Sequence, residues 1–307
     1  MRSILVIISA LTLTTVYLIN CSSPLPSIAD EIEKVIEEHD VEMAIARYHE
    51  LRKTSPKDYN FGVGELRGLG YRLFKSGKTR EAILLAQLNA EVFPNSAIVY
   101  YDLAVAFHYS GNRLKSKQNI MKSLSLDSLS LHSLILKKRL FLVPDDFEIP
   151  TMLEGEDFKI RPLRVTDVDL DYKAVMSSIE HLQGVFGPGS KWPAASLTKK
   201  EDLKALQFHE EEFMRREAFT YTVMNPEETE CLGCVYINYS KLDTHDAQVV
   251  MWVTADAHKR GLDPIIFNAV KRWIKNEWPF RKILYPGRDL EWSVYINLLS
   301  EQDKKYH

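Results

Sequence analysis

Three places in the sequence put chemically able side chains at telling spacings. His209, Glu212 and Arg216 fall at i, i+3 and i+7, hence on one face if residues 198–217 form a helix. A histidine beside a carboxylate supplies a base for proton transfer, and the same spacing also makes an exposed, ion-paired face. Cys231 and Cys234 have the Cys-x-x-Cys spacing of redox pairs and zinc knuckles, but no second ligand pair accompanies them, so no metal is expected. In a strand, residues three apart point to opposite faces at roughly 10 Å between Cα atoms, too far for a disulfide unless a bulge at Gly233 brings them together. Asp263 before Pro264 reads as an N-cap and first helical residue, a pair that satisfies the orphan amides of its helix from within. The third cysteine, Cys21, stands apart, just after an apolar run.

The chain that must position these groups has 307 residues, too long for one typical domain. At 45% hydrophobic and 26% charged it is neither disordered nor fibrous. Its 39 basic and 42 acidic residues, with no basic tract, argue against a nucleic-acid partner. From residue 4 to 19 it carries no charge, with Arg2 in front. Such a segment suits an export signal, since a helix of that length reaches only about 24 Å of a hydrocarbon core of about 30 Å. The stretch Leu18-Ile19-Asn20-Cys21 resembles the lipobox of bacterial lipoproteins, with Asn20 where a small residue is usual. That resemblance implies a signal segment over 1–21, lipidation at Cys21, and an exported, membrane-attached protein. An uncleaved anchor that leaves the chain facing the cytoplasm, or a buried helix, are the alternatives.

A period near 34 runs through residues 25–130, within a helical domain expected over 25–142. Leu69, Gly70, Leu73, Gly77, Ala82 and Pro94 return 34 positions later as Leu103, Ala104, Phe107, Gly111, Ser116 and Ser128, and an earlier copy carries Ala44, Tyr48, Leu51 and Pro56 with four extra residues after it. The pattern resembles the tetratricopeptide repeat (TPR). It implies an all-α array of hairpins: a small residue where two helices approach, glycine at the turn, proline where the ladder must stop. Stacked hairpins present a concave face, so the implied partner is a peptide or protein, with Tyr100, Tyr101, His108 and Tyr109 as the candidates to line that face; a structural spacer is the alternative.

A linker over 143–157 leads to a different texture across 158–292, with a tail over 293–307. Residues 158–163 read as a strand, 166–183 as a helix, and 198–217 as a second helix opened by a Thr198/Glu201 capping box. Strands follow at 219–224, 231–239 and 247–254, then a helix from 263 to 276 and a short strand at 282–285. This order resembles the GNAT N-acyltransferase superfamily, as do Ile160 to Leu163, Trp192 and Pro193, Phe213 to Val223, Leu232 to Ile237, Trp252, Trp273, Trp278 to Phe280 and Tyr285 to Arg288. It implies an α/β domain with a mixed, mostly antiparallel sheet, truncated after the superfamily's fifth strand. Acetyl-CoA would lie along Trp252 and Val253, its pyrophosphate on Lys259, Arg260, Gly261 and Leu262 at a helix start.

Within the superfamily's phosphate-loop pattern only Gly261 matches; His258 and Asp263 depart from it. A carboxylate at 263 about 4 Å from the pyrophosphate would repel it by about 4 kcal/mol at an effective dielectric of 20. For the chemistry, the resemblance leaves His209 or Glu212 as base and Tyr295 as the acid for the departing thiolate. Two functional readings follow. One is an acyl-CoA-dependent N-acetyltransferase attached to a TPR interaction module. The other is a non-catalytic exported lipoprotein whose repeats bind a partner and whose GNAT-like domain is degenerate; export would part the enzyme from its cytoplasmic donor.

Overall fold

The computed structural model describes residues 25–304, so the apolar leader and Cys21 lie outside the described residues. The described residues begin with seven helices: α1 (Ile28–Glu38), α2 (Val41–Thr54), α3 (Val63–Lys75), α4 (Thr79–Val92), α5 (Ala97–Tyr109), α6 (Arg113–Leu126) and α7 (Leu131–Leu140). Ser27 and Asp40 cap the first two, their side-chain oxygens accepting from the amides of Ala29 and Met43. α5 and α6 begin 34 residues after α3 and α4, and both hairpins turn on a glycine in the left-handed region, Gly77 at φ 82° and Gly111 at φ 78°. The helical half is therefore consistent with repeats. At the helix crossing, a Cβ added to Gly70 would meet nothing closer than Ala82 O at 3.9 Å. In the next hairpin Ala104 occupies that place, and Ser116 Oγ donates to its carbonyl at 2.8 Å.

Two compact units divide within α3, after Leu69. The second contains the later hairpins and the whole sheet. Its strands and helices are β1 (Leu153–Glu154), β2 (Lys159–Pro162), α8 (Val168–Met176), α9 (Ile179–Leu182), α10 (Lys199–Met214), β3 (Ala218–Met224), β4 (Cys231–Tyr239), β5 (Ala247–Val253), α11 (Ala255–Lys259), α12 (Leu262–Glu277), β6 (Ile283–Leu284) and α13 (Trp292–Asp303). The six strands lie in chain order, antiparallel up to β5, with β6 parallel to β5 across the α11–α12 connection. This is a mixed, mostly antiparallel sheet with helices on both faces. Along β5 the pleat alternates: Val249, Met251 and Val253 face a core closed by Ile266, Val270 and Trp273 of α12, whereas Trp252 joins Val175, Leu182 and Leu206 on the other face. After β6 comes α13, where sequence reading expected a tail.

The cysteine pair departs from its expected geometry. Between β3 and β4 the register runs Val223↔Gly233 and then Met224↔Cys231, leaving Leu232 as an extra residue. That bulge turns both thiols to one face, where Cys234 Sγ lies 3.4 Å and Cys231 Sγ 3.9 Å from Asp171 Oδ1. Both cysteines are free and buried.

Charged groups fasten the last hairpin and α7 to the sheet. Glu217, 1% exposed, receives His108 Nε2 at 3.2 Å, Arg139 at 2.9 Å and Arg215 at 3.1 Å. Burial would raise its pKa, but the hydrogen bond and charge of His108, with the two arginines, hold it below its ordinary value. Arg113 reaches the carbonyl of Arg215 at 2.9 Å. His108 is thus a structural contact inside this unit, not part of an open concave wall. His108→Ala is expected to lower the stability of the second unit by about 1–2 kcal/mol, read as a lower urea midpoint with an unchanged slope. An unaltered midpoint would mean that the arginines suffice.

Candidate active site

The sheet opens at one end. β5 pairs with β4 along its length, from Ala247↔Tyr239 to Val253↔Gly233, but with β6 only at Ala247↔Ile283 and Gln248↔Leu284. Beyond Gln248 the edge of β5 that faces β6 has no strand partner, and α11 and α12 begin where β5 ends. An extended chain carrying amides can add to such an edge.

At the far end of this opening stands the start of α12. Its N-cap is Gly261, at φ 78°, and no side chain caps it. The expected Asp263 cap is not formed. Asp263 sits one residue inside the helix, and its carboxylate is clamped by Arg288, Nη1 at 2.6 Å and Nη2 at 2.7 Å. The guanidinium in turn lies 5.1 Å from the centre of the Phe267 ring. A bidentate arginine offers more than a helix amide can, so the long-range pair wins over the local cap. The amides of Leu262 and Asp263 consequently have no hydrogen-bond acceptor among the described residues. Those of Arg260 and Gly261 are used within the preceding turn, on Asp256 O and His258 O.

Around this helix start Lys259 is exposed and has no ion-pair partner among the described residues, while Arg260 pairs with Asp256 at 3.0 Å. His258 and His181 face each other with ring centroids 4.8 Å apart. Burial, then the neighbouring His258, lowers the pKa of His181. The side chains of Trp252 and Val253 are buried on opposite faces of the sheet, so only their backbones front the opening. Taken together, the mouth holds a helix start with no side-chain cap among the described residues, the exposed Lys259, and two carboxylates, Asp256 and Asp263, that are each paired with an arginine, an arrangement able to hold a diphosphate.

Beside the opening, on the face away from α12, lies a cavity of about 510 Å³. Its walls come from β4 and β5 (Tyr236, Gln248, Val250), from α8 and α10 (Asp171, Asp202, His209), from α13 (Trp292, Tyr295) and from the segment holding Phe186 and Trp192. Two of the groups expected from sequence meet here. Tyr295, 4% exposed, donates its hydroxyl to Gln248 Oε1 at 2.7 Å, and burial pushes its pKa up to about 12. His209 lies on the same wall with Nδ1 3.5 Å from Glu212 Oε2. Glu212 itself turns to Arg139 at 3.1 Å and does not line the cavity. Arg216 leaves the helix face altogether: at φ 59° beyond the end of α10, it donates to the carbonyls of Pro144 and Phe147 at 2.8 and 2.7 Å.

The most perturbed acids are two that sequence reasoning passed over. Asp171 is 4% exposed; burial, with the charge of Asp202, pushes its pKa up to about 7. Asp202 is 5% exposed, its Oδ2 has no hydrogen-bond partner among the described residues, and burial pushes its pKa up to about 6. A signal was present in the sequence. Asp171 shares the stripe of Val168, Ala174 and Val175, and Asp202 that of Leu206, so each acid interrupts an apolar face. Among the described residues no group of three or more His, Cys, Asp or Glu side chains is placed to hold a metal, and no helix is long and apolar enough to cross a membrane. A second cavity, of about 560 Å³ between α7 and the Asp246–Arg281 corner, contains none of these groups.

No protein-family description and no curated protein matches the sequence. Solved structures that resemble part of the fold include the ribosomal-protein-S5-alanine acetyltransferase from Vibrio fischeri, at 16% identity and a TM-score of 0.38 over 50% of this chain and 81% of that one. A ribosomal L7/L12 alpha-N-protein acetyltransferase in complex with coenzyme A gives 14% identity and a TM-score of 0.38 over 50% of this chain and 82% of that one.

Proposed function

We propose that the sheet domain is an N-acyltransferase that moves an acetyl group from acetyl-CoA to an amine held in the 510 Å³ cavity. The observation that carries this reading is the uncapped start of α12 at the divergence of β5 and β6, freed because Arg288 draws Asp263 aside. The diphosphate would rest on the amides of Leu262 and Asp263 with Lys259 and Arg260 nearby, and the thioester arm would run along the unpaired edge of β5 toward Tyr295 and Gln248.

The chemistry then has named donors and acceptors. Asp171, with a pKa near neutrality, removes a proton from the acceptor ammonium. The amine nitrogen attacks the thioester carbonyl, the new C–N bond forms as the C–S bond breaks, the nitrogen gives up its second proton to water, and the Tyr295 hydroxyl protonates the departing sulfur; Asp171 then releases its proton to solvent. The phenolate left on Tyr295 is reprotonated from water. Residues 1–21 as an anchor that leaves this domain facing the cytoplasm, with the helical hairpins as the surface for a protein or peptide partner, is the arrangement in which such an enzyme keeps its donor. The competing reading, an exported and degenerate domain, predicts no coenzyme binding.

Calorimetric titration of the full chain with acetyl-CoA tests the proposal, and Arg288 supplies a signed control. Arg288→Ala releases the Asp263 carboxylate beside the diphosphate and is expected to weaken binding by about tenfold or more. Adding Asp263→Asn to that variant should restore most of the loss. No heat at millimolar acetyl-CoA would overturn the assignment, as would a double variant no better than the single one.

A further inference from the structure

The cavity beside β5 has a composition that selects a ligand. Its floor carries Asp171 and Asp202, each about nineteen-twentieths buried, and Asp202 Oδ2 meets no donor among the described residues. A carboxylate oxygen that deep and unpaired costs stability until something cationic or hydrogen-donating reaches it. One wall is aromatic. Phe186 stands edge-on to Trp192 at 5.0 Å and to Tyr236 at 5.4 Å, Trp192 leans on Trp252 at 5.7 Å, and Tyr236 meets His209 at 5.4 Å. Ring faces beside a buried acid attract an organic cation both through the quadrupole and through its apolar stem. Among the described residues Lys241, which is exposed, is the only lysine or arginine lining the cavity, so no permanent cation stands deep inside to offset a ligand carboxylate beside the two acids.

We infer that this cavity binds a small primary ammonium ion on an aryl or aliphatic stem, its charge on Asp202 and its stem against Phe186, Trp192 and Tyr236, and that ligands bearing a carboxylate are rejected. The inference rests on the acyl-transfer reading only for the fate of the ligand, since it makes this ammonium the acetyl acceptor; recognition of the cation stands by itself. The walls explain the preference. A neutral alcohol of equal shape leaves the Asp202 charge unmet, and an α-carboxylate would add a second negative charge beside two acids.

The test uses the full chain without coenzyme. Phenethylammonium, 2-phenylethanol, L-phenylalanine and a tetrapeptide with a free amino terminus are titrated by calorimetry and by tryptophan fluorescence, to which Trp192, Trp252 and Trp292 in or beside the cavity contribute. Phenethylammonium is expected to bind saturably, with the alcohol and L-phenylalanine each weaker by about tenfold or more. Asp202→Asn should weaken the cation by about tenfold while sparing the alcohol, and Phe186→Leu, at a partly exposed position, should weaken both. Equal binding of alcohol and ammonium, an unchanged affinity in Asp202→Asn, or tighter binding of the tetrapeptide would each overturn the inference. Cation binding without any acetyl-CoA binding would remove the acyl-transfer reading and leave this one standing. Acetyl-CoA binding with no response to phenethylammonium would do the reverse.

Discussion

Replacing Gly233 with alanine is expected to destabilise the sheet domain by about 3 kcal/mol or more, the largest single-residue effect foreseen in this chain. Gly233 pairs with Val253 in the β4–β5 ladder, just past the bulge. An added Cβ would lie 2.0 Å from Trp252 O and 2.9 Å from both Trp252 C and Val253 Cα. All three are backbone atoms of the neighbouring strand, so no side chain can swing away to make room. The ladder must open, and with it the positions of Cys234, Trp252 and the cavity wall. For a unit of this size the thermal transition should fall by roughly 6–12 °C. Gly70→Ala is the matched control: its Cβ meets only ordinary contact at 3.9 Å, so the higher helix propensity of alanine should add about 0.5–1 kcal/mol. A Gly233→Ala variant that melts with the wild type would show that β4 and β5 are not held this closely.

Asp171→Asn is expected to make the protein more stable at pH 8 and no more stable near pH 4. The sign follows from linkage. The folded state raises this carboxyl from its ordinary range to about 7, so between roughly pH 4 and 7 the native protein holds a proton that the unfolded chain has released. Stability from that proton is present in acid and is lost as pH rises through the folded pKa. A neutral amide never incurs the loss, which gives the variant an advantage of about 2–4 kcal/mol above pH 7. Melting curves of both proteins from pH 4.5 to 8.5 should therefore diverge with rising pH. Parallel curves would show that Asp171 is not ionised at a cost. If Asp171 is the base, the same variant loses acetyl transfer while it gains stability, the trade expected where a buried acid is kept for chemistry and not for folding.

How far the sequence could be read depended on the range of the forces involved. The hairpin period was legible because a turn glycine and a helix crossing involve residues a few positions apart: Gly77 and Gly111 adopt the same left-handed turn, and Ala104 sits where Gly70 does. The Thr198/Glu201 capping box formed as its spacing implied. The strands at 218–224, 231–239 and 247–253 followed their apolar runs. Two short elements, β1 and α11, gave too few residues to establish a period, and α13 was hidden by treating residues beyond 292 as a tail although Tyr295 and Leu299 share a face.

Local rules therefore determined the kinds of element, their order and the resemblance that suggested acyl transfer, because backbone propensity, capping and side-chain periodicity act within about two turns of chain. Tertiary structure alone decided which groups meet. Arg288, 25 positions away, took the Asp263 carboxylate from its helix end; a bulge at Leu232 brought Cys231 and Cys234 to one side; folding of α8 and α10 against β4 drove Asp171 and Asp202 into an apolar wall. Charge pairing and desolvation depend on distance in space, and that distance is set only when the sheet has closed.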